Sequence, residues 1–144
     1  MTEADRLRLY KSNAESNRDA AEQRSKEAED KINRLETALL NLSNEDDEIM
    51  GIYSKLTSVY NKNDNTWKGQ CFDTFVEDSE TQLFDEGIMD YHNKLIKDVD
   101  NVIRVELKNQ REIKLAADKD YETYDKQASD YDKDLNKELK KKKK

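Results

Sequence analysis

With 144 residues, 41% of them charged, 34% hydrophobic and none of them proline, the chain lacks the apolar mass for a thick globular core. The same content suffices for one seam between two helices, which needs about two apolar residues in seven. The net charge is −7, and the body that precedes the terminal lysines is more acidic still, which argues against the clustered basic face of a nucleic-acid binder.

From the amino terminus, Leu7, Ala14, Ala21, Ala28, Leu35, Leu42, Ile49 and Leu56 recur every seven residues without a break. Tyr10 joins this stripe near its start, and Ile32, Leu39, Tyr53 and Tyr60 flank it further along. Such spacing predicts an amphipathic, coiled-coil-like helix over about 3–61, and together with the missing proline it argues against full disorder, the competing reading of so polar a chain. Ser43-Asn44-Glu45-Asp46-Asp47-Glu48 also has the cap and acidic first turn of a helix start, so a break near 43–45 is the alternative.

Asn61-Lys62-Asn63-Asp64-Asn65-Thr66 is a turn by composition, since short polar side chains compete for backbone hydrogen bonds. The turn proper is placed at 62–66 and a second helix at about 67–139. Phe72, Val76, Leu83, Tyr91, Leu95, Val99, Val102, Ile113, Ala117, Tyr121, Tyr124, Ala128, Tyr131 and Leu135 form its expected apolar face. Two helices joined by so short a turn pack antiparallel. The fold class is therefore all-α: a long two-helix hairpin forming a single domain over 1–139. Lys140–Lys144 follow as a tail expected to be disordered.

Large apolar residues crowd towards the turn, whereas residues 11–31 offer the stripe only alanines. The end distant from the turn is therefore expected to be weakly held, and either to need a partner helix or to stay mobile. Gly51 and Gly87 read in two ways, as tolerated helix-interior glycines or kinks, or as a close crossing of the two backbones.

Chemistry is nearly absent. His92 and Cys71 are the only residues of their kinds, 21 positions apart on one expected helix, about 30 Å at helical rise. They make neither a nucleophile–base pair nor a zinc shell. His92 reads as a surface residue at the edge of the stripe and Cys71 as a small filler near the corner. The acidic runs Asp118-Lys119-Asp120, Asp130 and Asp132-Lys133-Asp134 lack the spacing of a calcium loop and read as a solvated face. No catalytic residue, metal ligand or cofactor is expected, and the protein is not read as an enzyme. Helix-to-helix binding remains, with Leu7, Tyr10, Tyr124 and Tyr131 as the expected partner-binding stripe. One cysteine excludes an intrachain disulfide, no apolar run is long enough for a membrane span, and no cleavable signal peptide is evident.

Trp67-Lys68-Gly69 stands where the second helix leaves the turn, with Phe72 and Phe75 behind it. Tyr121-Glu122-Thr123-Tyr124-Asp125 carries a Tyr-x-x-x-Asp pattern in the second helix. Helix, Trp-x-Gly turn, helix and a distal Tyr-x-x-x-Asp/Glu export motif resemble the WXG family of type VII (ESX) secretion substrates. The length resembles the small helical proteins encoded beside LXG toxins in Gram-positive bacteria.

The resemblance implies a non-enzymatic targeting partner that binds the helical amino-terminal domain of an LXG-type toxin. A second small WXG-like protein and the secretion ATPase would be further partners. The expected location is cytoplasmic, with export through the type VII system, without a cleaved signal, as the alternative. Tyr121 and Asp125 would be the export motif. Trp67 and Tyr121 lie 54 residues apart, about 80 Å along a straight helix, so a joint signal would need a second chain. The alternative reading is a structural homodimeric coiled-coil adaptor unrelated to secretion, with oligomeric state as the discriminator.

Overall fold

Thr2 starts the first helix by a reciprocal cap. Its hydroxyl accepts from the Asp5 backbone N–H at 3.1 Å, while its own N–H donates to the Asp5 carboxylate at 3.3 Å, so two amide donors that helix geometry would orphan are satisfied. The hydrogen bonds from Thr2 and the nearby Arg8 hold the Asp5 carboxyl below its ordinary range. From there α1 runs unbroken over Glu3–Asn61, through the Ser43–Glu48 stretch that carries cap-like residues. Continuing a helix costs less than starting a new one.

The structure is a computed structural model that describes residues 1–61, Glu77 and 87–143. The second described helix, α2, spans Ile88–Lys142. Gly87 precedes it, its carbonyl accepting from the Tyr91 N–H at 3.1 Å, so this glycine is an amino-terminal cap and not a helix-interior residue. At the other end the expected disordered tail is helical through Lys142, with Lys143 N–H reaching the Lys140 carbonyl at 3.3 Å. Lysines in a last turn are favoured by the negative pole of the helix. The turn at 62–66, the start of the second helix at 67 and the residues Trp67, Gly69, Cys71, Phe72 and Phe75 lie outside the described residues.

Every described element is α-helix, and the two helices pack antiparallel as a helical hairpin. The chain divides into two compact units. Unit 1 comprises Met1–Arg34 with Leu107–Lys144, and unit 2 comprises Leu35–Glu106.

In unit 1 the seam of α1 runs through Ala4, Leu7, Lys11, Ala14, Arg18, Ala21, Ser25, Ala28 and Ile32, all buried or half-buried and alternating three and four apart as a heptad seam does. The seam of α2 runs through Leu107, Gln110, Lys114, Ala117, Tyr121, Tyr124, Ala128, Tyr131 and Leu135, with the same alternation. Ala14, Ala21 and Ala28 are at most 4% exposed, and Ala21 is fully covered. The alanine-only stretch is thus closed by α2 itself, contrary to the expectation that it waits for a further helix. Alanine side chains let two helix axes approach towards the short end of the usual 8–10 Å range, and they lose no rotamer entropy on burial.

In unit 2 the seam of α1 continues through Leu35, Leu39, Leu42, Asp46, Ile49 and Tyr53, all half-buried. On α2, after Met89 and Asp90 in its first turn, the half-buried positions are His92, Ile96, Asp100 and Ile103. Tyr91, Leu95, Val99 and Val102, assigned to the packed face by apolar spacing, are exposed. The packed face is rotated by about one residue from the apolar one, because α2 presents the side that the α1 ridge meets and not its most apolar side. Gly51 has nothing within 4 Å of where a Cβ would stand, so it is a tolerated helix glycine and not a close crossing.

Candidate partner-binding surface

The residues expected to bind a partner gather in unit 1. Leu7, Tyr124 and Tyr131 are half-buried in the seam. The Tyr10 ring lies outside it and meets the Tyr131 ring across the hairpin, with centroids 5.6 Å apart and planes tilted by 42°, a geometry that suits the ring quadrupoles. Tyr10 remains 47% exposed, as does its neighbour Leu9. The pair therefore does two things: it fastens α1 to α2, and it leaves aromatic and aliphatic surface open.

Behind this pair runs a polar ladder with a seven-residue period on both helices. Lys11 donates to Asp132 at 2.7 Å, Arg18 to Asp125 at 3.3 Å, and the Ser25 hydroxyl to Asp118. Arg24 adds a bond to Asp120 at 3.3 Å on the other flank. Lys114 reaches Asp118 at 2.9 Å and the Ser25 hydroxyl at 3.4 Å. The acids of 118–120 and 132 are therefore cross-helix partners, where sequence suggests only a solvated face.

The electrostatics follow from these bonds. The hydrogen bond from Lys11 to Asp132 raises the Lys11 ammonium above its ordinary value. Asp118 is lowered, first by the Ser25 hydroxyl and then by Lys114, which is itself raised by Asp118. Arg18 is raised by its hydrogen bonds to Asp19 and Asp125. Partly exposed pairs of this kind contribute little stability one by one. Their spacing, repeated on two helices, sets the register of the antiparallel pair.

Of the two residues of the Tyr-x-x-x-Asp pattern, Tyr121 sits half-buried in the seam, whereas the Asp125 carboxylate is about half exposed while it holds Arg18. The two thus sit in different settings. A tyrosine held by packing positions a turn of α2, and a carboxylate at its edge stays open to solvent on one side.

His92 is not the surface residue that its sequence position suggests. Its Nε2 lies 3.3 Å from the Asp46 carboxylate across unit 2, with the imidazole only 16% exposed. Beside it, Leu39, Leu42, Ser43, Asp46, Asn93, Ile96, Lys97, Asp100 and Arg104 line a cavity of about 290 Å³. Arg104 is tied to Asp100 at 2.7 Å, which raises its guanidinium above the ordinary value. Among the described residues no group of three or more His, Cys, Asp or Glu side chains is placed to hold a metal ion, and no described helix is long and apolar enough to cross a membrane.

Two features escape sequence reasoning. The cross-helix ladder leaves a trace, since Lys11, Arg18 and Ser25 recur every seven residues as do Asp118, Asp125 and Asp132. The exposed α2 stripe of unit 2 leaves none, because apolar spacing does not say which neighbour covers it. Compared with protein-family models, curated proteins and solved structures, the chain matches none of them.

Proposed function

We propose that this chain is a non-enzymatic targeting partner that binds the helical amino-terminal domain of an LXG-type toxin and directs it to the type VII secretion system. The observation that carries this reading is the Tyr10–Tyr131 pair with exposed Leu9 in unit 1. It is an aromatic patch on a helical hairpin, of the composition that helix-to-helix interfaces use. The resemblance carried by Trp67-Lys68-Gly69 and Tyr121 to Asp125 supplies the class of partner. A toxin helix laid on the patch would bury the open ring edges while the tyrosine hydroxyls keep hydrogen-bond partners.

Coexpression with an LXG-type toxin encoded beside this chain is the test. Co-elution of the two is expected, Tyr10→Ala with Leu9→Ala weakens the complex, and separate elution of the unaltered pair sinks the reading. For export, Tyr121→Ala and Asp125→Ala are expected to reduce secretion while the complex persists. Because Asp125 holds Arg18, Arg18→Ala is the control. If it reduces export equally, Asp125 acts through hairpin packing and not as a signal.

The exposed apolar residues Tyr91, Leu95, Val99 and Val102 of α2 favour a second reading, a structural homodimeric coiled-coil adaptor unrelated to secretion; the heptads of α1 are already covered by α2. A chain that binds no toxin on coexpression and forms a stable dimer by itself would support it.

A further inference from the structure

On α2 in unit 2, Ile88, Tyr91, Leu95, Val99 and Val102 form one exposed apolar stripe. Their spacings of three, four, four and three read the same in both directions. Leu95 is the centre. Tyr91 is 70% exposed and Val102 68%, and the five together present on the order of 500 Å² of apolar surface, near the upper end of what a monomer leaves uncovered.

We propose that this stripe is the self-pairing face of a two-fold dimer, occupied by α2 of a second copy lying antiparallel with Leu95 on the axis. A two-fold interface brings the same patch of each copy together, so residue i meets residue j and j meets i. Antiparallel pairing about Leu95 sets Ile88 against Val102 of the second copy and Tyr91 against its Val99. All five stripe residues are then covered, which an off-centre partner helix would not achieve.

The charges beside the stripe argue for the same occupant. Lys94 and Asp98 lie on one flank of it, one turn apart. In an antiparallel two-fold pair that flank faces its own copy, so Lys94 meets Asp98 of the second copy and Asp98 meets Lys94. The two members of each pair are offset by about 3 Å along the axis. The present partner of Lys94 is Asp90 on its own helix, at 3.0 Å. That bond is exposed and readily exchanged. In a parallel two-fold pair this flank would instead face the opposite flank of the second copy, and Lys94 and Asp98 would not meet each other.

An area below the roughly 800 Å² per partner of a standard interface calls for a reversible dimer. This face lies in unit 2, whereas the patch proposed for the toxin lies in unit 1. A dimer therefore does not choose between the two functional readings, and toxin coexpression does.

Sedimentation of the full chain over the micromolar range tests the proposal. The mass is expected to rise with concentration from 16.9 kDa towards twice that value. Leu95→Lys places two ammonium groups at the axis and is expected to weaken the dimer by about tenfold or more, with helicity by circular dichroism retained. Leu115→Lys, exposed but off the stripe, leaves it unchanged. Lys94→Asp and Asp98→Lys each weaken it, and the double variant restores it. In a Cys71→Ser background, Leu95→Cys crosslinks to itself on oxidation, and Leu115→Cys does not. A mass that stays monomeric at every concentration overturns the proposal, as does a dimer indifferent to Leu95→Lys.

Discussion

Units 1 and 2 share one helix pattern and use it in opposite ways. In unit 1 the small side chains are covered: Ala4, Ala14, Ala21, Ala28, Ala117 and Ala128 are all buried, and so are Leu107, Gln110 and Leu135. In unit 2 no described residue is fully buried, although Leu39, Leu42, Ile49 and Ile96 are larger and more apolar. Covering a side chain needs a neighbour at the right distance, and alanine brings that neighbour close. A large side chain holds the second helix away and leaves its own flanks open. The region that looks poorest by hydropathy is the better sealed.

The sharpest way to break this contrast is to enlarge the alanine seam. Ala21→Leu adds three carbons where nothing is exposed, and is expected to destabilise unit 1 by about 1–3 kcal/mol. Hydrogen exchange should show faster opening in 1–34 and 107–143. Ile52→Ser in unit 2, at a position 59% exposed, is expected to change thermal stability by less than about 0.5 kcal/mol. Equal effects from the two would remove the distinction between sealed and open units.

Gly51→Ala sharpens the comparison from the other side. With open space around the added Cβ, the substitution is expected to stabilise α1 by about 1 kcal/mol. A loss of stability on thermal denaturation would mean that the backbones do approach there.

The smallest effects belong to the titrating pairs, most of which lie in unit 1. Asp5 and Asp118 are lowered in the folded chain from 3.8, so their contribution is full above the unfolded value and is lost as pH falls through the folded ones beneath it. Lys11 and Lys114 are raised from 10.5, so theirs is present below that value and fades as pH rises through the folded ones. Unit 1 should therefore loosen at both extremes. Asp118→Asn should flatten the acid limb in a melting series against pH.

Much of the fold is legible residue by residue. The heptads from Leu7 to Ile49 on α1 are the seam observed, and Ala117, Tyr121, Tyr124, Ala128, Tyr131 and Leu135 are its α2 counterpart. Legibility ends at Tyr91, Leu95, Val99 and Val102, where the apolar face and the packed face part company. Of the candidate surface, Tyr10, Tyr124 and Tyr131 could be picked out as a cluster, but the ring contact of Tyr10 with Tyr131 could not. Nor could the commitment of Asp125 to Arg18, since an acid on a helix carries no mark of the cation that will face it.

The amino-acid sequence by itself determined what depends on one helix at a time: that α1 begins near residue 3 and which of its positions form a stripe. Continuation through 43–48 or a break there stayed open until the structure showed one helix. Propensity, caps and periodicity are local, so they can be read along the chain. Tertiary structure alone decided what depends on two helices at once. It chose the side of α2 that meets α1 between His92 and Ile103, paired Lys11, Arg18 and Ser25 with acids more than ninety residues away, and closed a seam of alanines that no hydropathy count would credit. Those outcomes rest on distance and register between two backbones, and neither quantity is written in the period of one.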